Sequence, residues 1–155
     1  MNPNTVRTRR EPSAPSSKSS QTGLPPSCQR HSTILVIDDD EGHSELIAFC
    51  LRAAGYERVL SAPDASKALA LIRQSPPDLL IVDIKMPRMS GTELVRLLNA
   101  DRTLEPIAFV IVTGKRGCGE EARNLGALAC LEKPLDASAL LRVVAQHLPT
   151  TKLSG

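Results

Sequence analysis

Five short, β-rich apolar runs, each followed by a longer segment of helical period, constrain this chain more than any other feature of its sequence. The runs fall at residues 34–37, 58–61, 79–82, 107–112 and 129–131, and a helix is expected after each one. Strands that read as continuous apolar stretches are buried on both faces, which happens when helices cover both sides of a parallel sheet. Right-handed crossovers then give an α/β, doubly wound five-stranded sheet, and in such sheets ligands sit beyond the carboxyl ends of the strands.

The helix boundaries have visible causes. Ser90 with Glu93 three positions later forms a capping box, and Asp64 and Asp136 can each accept hydrogen bonds from first-turn amides. Gly55 is expected to stop the first helix, Pro76 and Pro77 to bar continuation of the second, and Pro149 to follow the last. In that last helix Leu141, Val144 and Leu148 recur on one face.

Residues 1–31 are rich in Ser, Pro, Thr and Arg and poor in large apolar side chains, so they are expected to be a disordered tail. Scattered prolines argue against an amphipathic transit peptide. One domain is expected over residues 32–149, with a short tail at 150–155. A second large domain does not fit in 155 residues, and with no output domain in view the chain is expected to act through another protein.

Charge and cysteine content narrow the function classes. Five cations against Glu11 put +4 on residues 1–33, so the net +2 of the whole chain leaves −2 on the remainder. A mildly acidic domain is a poor fit to sequence-specific nucleic-acid binding, and no apolar run approaches the ~20 residues of a membrane span. Cys28, Cys50, Cys118 and Cys130 form no C-x-x-C pair and follow no secretory signal, so free thiols in a reducing, cytoplasmic setting are expected.

The chemistry-bearing residues collect at the strand ends. The first run leads into Asp38, Asp39 and Asp40, the third into Asp83, the fourth into Thr113 and the fifth to Lys133. Crowded carboxylates repel one another unless a cation joins them, and an all-oxygen set suits Mg²⁺. Such a site can support phosphoryl transfer: one carboxylate attacks phosphorus while ammonium and hydroxyl groups stabilise the remaining charge. His43 reads as an exposed helix position, since the carboxylates already suffice for a metal. His31 is assigned to the tail and His147 to a helix surface.

Four separated motifs, Ile34-Leu-Val-Ile-Asp-Asp-Asp40, Asp83-Ile-Lys-Met-Pro-Arg-Met-Ser-Gly91, Val112-Thr-Gly114 and Lys133-Pro134, resemble the response-regulator receiver signature in order and in placement. The resemblance implies a flavodoxin-like sheet of order 2-1-3-4-5 and a single-domain regulator that takes a phosphoryl group from a sensor histidine kinase or phosphotransfer protein. On it, Asp83 is the phosphoacceptor, Asp38 and Asp39 are the Mg²⁺-binding pair, and the Lys85 carbonyl completes the protein ligands, with Asp40 outside. Thr113 and Lys133 would contact the phosphoryl group, and the peptide bond to Pro134 would be cis.

The same resemblance implies slow self-dephosphorylation, with Lys85 and Lys115 flanking the path of water, and a switch carried by the glycine-rich loop of Gly114, Gly117 and Gly119. One departure stands out: Cys130 occupies the position, three before the lysine, where the family commonly has an aromatic. Cys130 reads there as buried filler, with a redox role as the alternative. Two other readings stay open. One is a phosphorylation-independent interaction module on the same fold. The other is a haloacid-dehalogenase-like phosphatase built on Asp38-x-Asp40.

Overall fold

The computed structural model describes residues 32–148. The expectations placed on the two tails, with His31, Cys28 and Pro149, lie outside the described residues. Among the described residues five strands alternate with five helices. In chain order these are β1 (Thr33–Ile37), α1 (Glu41–Ala53), β2 (Arg58–Ala62), α2 (Ala65–Gln74), β3 (Leu79–Asp83), α3 (Gly91–Ala100), β4 (Ala108–Thr113), α4 (Gly119–Leu125), β5 (Ala129–Glu132) and α5 (Ala137–His147). All strand pairs are parallel, and the sheet order is β2-β1-β3-β4-β5, as the resemblance implied.

Alternation of side chains along each strand explains the two cores. Leu35, Ile37, Leu80, Val82, Phe109 and Ile111 face one side and pack with buried residues of α2, α3 and α4. Ile34, Val36, Leu79, Ile81, Val110 and Val112 face the other and pack with α1 and α5. Each such side chain contributes about 1.5–3 kcal/mol on burial, which is what sets the strand register so firmly. β3, central in the sheet, is buried along its whole length.

The strand ends differ slightly from the sequence reading, and the difference bears on function. β3 runs one residue further, so that Asp83 lies in the ladder opposite Val112, and β4 includes Thr113 opposite Glu132. Both side chains thus stand on rigid backbone rather than on loops.

Four helices begin with a side-chain cap: Asp40 for α1, Asp64 for α2, Ser90 with its capping box for α3, and Asp136 for α5. Each cap is worth ~1 kcal/mol. α4 follows Cys118 and has no such hydrogen bond. Gly55 ends α1 with φ +104°, as its position suggested.

Gly91 fixes where α3 meets the sheet. Its amide donates to the Ile84 carbonyl at 2.9 Å, and a Cβ at this position would lie 2.2 Å from the Asp83 carbonyl oxygen. Only glycine lets α3 start against the end of β3. Gly91→Ala should therefore cost about 2 kcal/mol, as overpacking does. Urea denaturation should show the midpoint falling with an unchanged slope.

Candidate functional site

The carboxyl ends of β1, β3 and β5 bring Asp38, Asp83 and Lys133 together from widely separated positions. Asp38 follows β1 immediately and its amide donates to the Ala62 carbonyl at 3.1 Å, which continues the pairing with β2. Lys133 follows β5, and its amide donates to the Thr113 carbonyl at 2.8 Å. The Lys133 ammonium lies 3.3 Å from Asp38 Oδ2 and 3.3 Å from Asp83 Oδ2, so one cation bridges two buried carboxylates. The peptide bond from Lys133 to Pro134 is cis.

Backbone groups hold the other carboxylate oxygens. Asp38 Oδ1 accepts from the Asp40 amide at 2.9 Å, and Asp83 Oδ1 accepts from the Lys85 amide at 3.3 Å. Asp39 is exposed at the mouth, and ligand oxygens of Asp38, Asp39 and Asp83 lie within 4.8 Å of one another. Three carboxylates against one ammonium leave the pocket short of positive charge. The all-oxygen donor set and that deficit fit a hard divalent cation such as Mg²⁺.

The protonation energetics follow from this crowding. Burial pushes the Asp83 carboxyl above the usual range and the Asp38 charge pushes it further, with Lys133 opposing both only in part. For Asp38 burial also raises, but hydrogen bonds from Asp40 and His43 and the charge of Lys133 outweigh it and leave the group lowered. Burial works against the Lys133 charge, yet the two aspartates hold its pKa above the ordinary value.

Thr113 is fully buried at the end of β4, and its hydroxyl oxygen accepts from the Lys115 amide at 3.2 Å. Lys115 itself reaches out to Glu121 at 3.4 Å, and the Lys85 side chain is exposed.

A receiver-domain model, described as "Response regulator receiver domain", matches residues 34–145. The chain belongs to this family. Among curated relatives, the polar-differentiation response regulator DivK of Brucella ovis is 29% identical over 118 residues, which cover 75% of this chain and 95% of that protein. Solved structures agree. A putative response regulator from Chloroflexus aurantiacus is 28% identical with a TM-score of 0.69, covering 76% of this chain and 97% of its own. The chemotaxis response regulator CheY4 of Vibrio cholerae is 27% identical with a TM-score of 0.68, covering 76% and 98%. This receiver domain is thus not an enzyme in the usual sense, and phosphorylation and Mg²⁺ binding are general features of its family.

The Asp40 carboxylate caps α1 by accepting from the His43 amide at 3.1 Å.

Two expectations are corrected. His43 is not an exposed helix position: only 14% of its side chain is accessible, and Nδ1 lies 2.6 Å from Asp38 Oδ2. The ring sits on the first turn of α1, and the packing of α1 on the sheet carries it onto the carboxylate that follows β1. Cys118 and Cys130 are not free thiols but a disulfide, while Cys50 is free. Residue spacing alone gave no sign of this pairing, which depends on β5 lying beside β4. Gly91, the last residue of the motif that begins at Asp83, takes a physical role from the close approach of its backbone to the Asp83 carbonyl. The motif's position at the start of a capped helix was the available signal.

An acid whose folded pKa is raised destabilises the fold once it ionises; the penalty is fully present above the folded pKa and absent below the unfolded value. In metal-free buffer at pH 7, Asp83→Asn should raise the melting temperature by on the order of 4 °C, a gain that vanishes as pH falls below the ordinary aspartate range. Added Mg²⁺ should stabilise the wild type more than the variant in the same thermal melts.

Proposed function

We propose that Asp83 accepts a phosphoryl group from a phosphohistidine on a sensor histidine kinase or phosphotransfer protein, and that the chain then signals by binding a downstream protein. The supporting observation is the Lys133 ammonium placed 3.3 Å from the carboxylates of both Asp38 and Asp83. A carboxylate raised toward protonation by its neighbours is a better nucleophile per ionised group than a free aspartate, and the same neighbours receive the charge of the incoming group.

In this reading an Asp83 oxygen attacks phosphorus, the P–N bond to the donor imidazole breaks, and the imidazole leaves as the neutral group after taking a proton. Lys133 turns from the carboxylate oxygens to an oxygen of the transferred group. The Thr113 hydroxyl, whose oxygen already accepts from Lys115, keeps its own proton free to donate to a second phosphoryl oxygen. Asp38, Asp39, Asp83 and the backbone carbonyl of Lys85 would hold Mg²⁺, which when bound supplies neutralisation of the phosphoryl charge. Asp38 enters that role already oriented by the Asp40 amide and by His43.

Hydrolysis of the aspartyl phosphate by water is the reverse half of the cycle, with the exposed side chains of Lys85 and Lys115 at its approach. The chain would thus catalyse only its own phosphorylation and dephosphorylation. A cytoplasmic site of action fits this chemistry, and among the described residues no helix is long and apolar enough to cross a membrane. The mildly acidic balance of the folded region supports a protein partner over sequence-specific nucleic acid.

Incubation with Mg²⁺ and acetyl phosphate, followed by intact-mass measurement, should add one phosphoryl group, labile to base and to hydroxylamine, to the wild type and none to Asp83→Asn. An adduct on both proteins would move the acceptor elsewhere. No adduct on either would favour the phosphorylation-independent interaction module.

A further inference from the structure

The loop after β4 carries Thr113 at one end and Cys118 at the other, and Cys118 is joined to Cys130 on β5. Residues 114–117 between these anchors are exposed, whereas Cys118 is only 2% accessible. Cys130 lies in the ladder opposite Ile111, and β5 is an edge strand. The crosslink therefore ties the far end of the Thr113 loop to the strand that leads into Lys133.

We propose that Cys118 and Cys130 form a reversible thiol–disulfide site that latches this loop and the start of α4 onto β5, so that reduction frees the loop to respond at the phosphoacceptor site. Three observations carry this.

α4 is the one helix among the described residues without a side-chain N-cap, and the residue in the capping position is Cys118. A covalent anchor stands where the other helices use Asp or Ser. With the bond broken, the turn before α4 keeps exposed or part-buried hydrogen bonds, Gly117 N–H to Glu132 at 3.1 Å and Lys115 N–H to Thr113 at 3.2 Å, while α4 itself stays anchored by buried Ala122. The latch thus bears mainly on the turn and the start of the helix.

The sheet does not depend on it. β4 and β5 pair over four residues, Cys118 belongs to neither buried core cluster, and Cys130 packs at the margin of one. A crosslink that the fold can lose suits a switch better than a staple.

The bond is also approachable. Cys130 is half-buried and lines a shallow cleft of about 230 Å³ with Gly119, Arg123 and Leu128. The Arg123 guanidinium at this cleft favours the approach of an anionic thiolate. In reducing compartments disulfides are rare, and those that form are mostly transient and catalytic or redox-sensing.

The reductant is a low-molecular-weight thiol. Its thiolate attacks the Cys130 sulfur, the S–S bond breaks, and Cys118 leaves as a thiolate that takes a proton. A second thiol attacks the mixed disulfide and releases Cys130 as a thiol. The protein disulfide gains two electrons and two protons, and two thiols become one external disulfide.

This inference rests on the reading of Thr113 as a group that contacts phosphate, and its test separates the two. The full chain is equilibrated with reduced or oxidised glutathione, denatured, alkylated and mapped by mass spectrometry. The oxidised sample should yield a linked Cys118–Cys130 peptide and the reduced sample two alkylated cysteines. Absence of the linked peptide under oxidised glutathione, or a bond that reduces only after unfolding, overturns the proposal.

Hydrogen exchange of the native protein is then compared. Amides of residues 114–122 should exchange about tenfold faster when reduced, and the Cys118→Ser, Cys130→Ser double variant should match the reduced protein under both conditions. Equal exchange in the two states also overturns it. Acetyl phosphate with Mg²⁺ should alter exchange in this segment more in the reduced than in the oxidised protein, and an equal response removes the gating role. Asp83→Asn should keep the redox difference while losing the phosphate response. If that variant responds to acetyl phosphate as the wild type does, the phosphoacceptor assignment fails and the latch stands.

Discussion

The site depends on two buried carboxylates, Asp38 and Asp83, held against a single ammonium, that of Lys133. Like charges in a poorly hydrated environment repel strongly, and each loses hydration that one shared cation does not restore. The exposed Asp39 adds to the deficit at the mouth. Any group that brings positive charge, or that changes the charge on Asp83, alters this balance directly. That is the physical basis for reading the pocket as the receptive end of a phosphorylation switch.

Such an arrangement persists only because the rest of the domain over-determines it. Alternating apolar side chains bury both faces of the sheet, so the strands cannot slip by one residue without exposing a core face. Their carboxyl ends are therefore fixed in register, and the acids and the lysine have little freedom to separate. Gly91 adds a second restraint from α3, whose first residue lies against the Asp83 carbonyl.

Much of this was legible in the sequence, because the signals are periodic or local. The five strands, the two-sided burial and the caps at Asp64, Ser90 and Asp136 follow from patterns within a few residues of each other. The gathering of Asp38, Asp39, Asp83, Thr113 and Lys133 at one edge follows from parallel topology, since every strand then presents its end on the same side. What sequence could not show were contacts made across the fold. The turn of His43 back onto Asp38 depends on the angle between α1 and β1, and the pairing of Cys118 with Cys130 depends on the lateral neighbour of β4. Both corrections concern residues whose role is set by packing rather than by spacing.

The two corrections also bear on the mechanism. His43 and the Asp40 amide orient Asp38 from one side, while Lys133 approaches from the other, so the acid is constrained before any ligand arrives. On the opposite flank, the disulfide constrains the loop that follows Thr113. The pocket is thus pre-formed at the acids, and on the proposed reading the two constraints act on different partners of the incoming group. A crystal structure of the reduced protein with Mg²⁺ and beryllium trifluoride, a stand-in for the phosphoryl group, tests this most directly. The account predicts beryllium bonded to the Asp83 carboxylate, the metal on Asp38, Asp39 and the Lys85 carbonyl, and Lys133 and Thr113 in contact with fluorine. Beryllium on any other side chain, or a metal bound away from these acids, would contradict it.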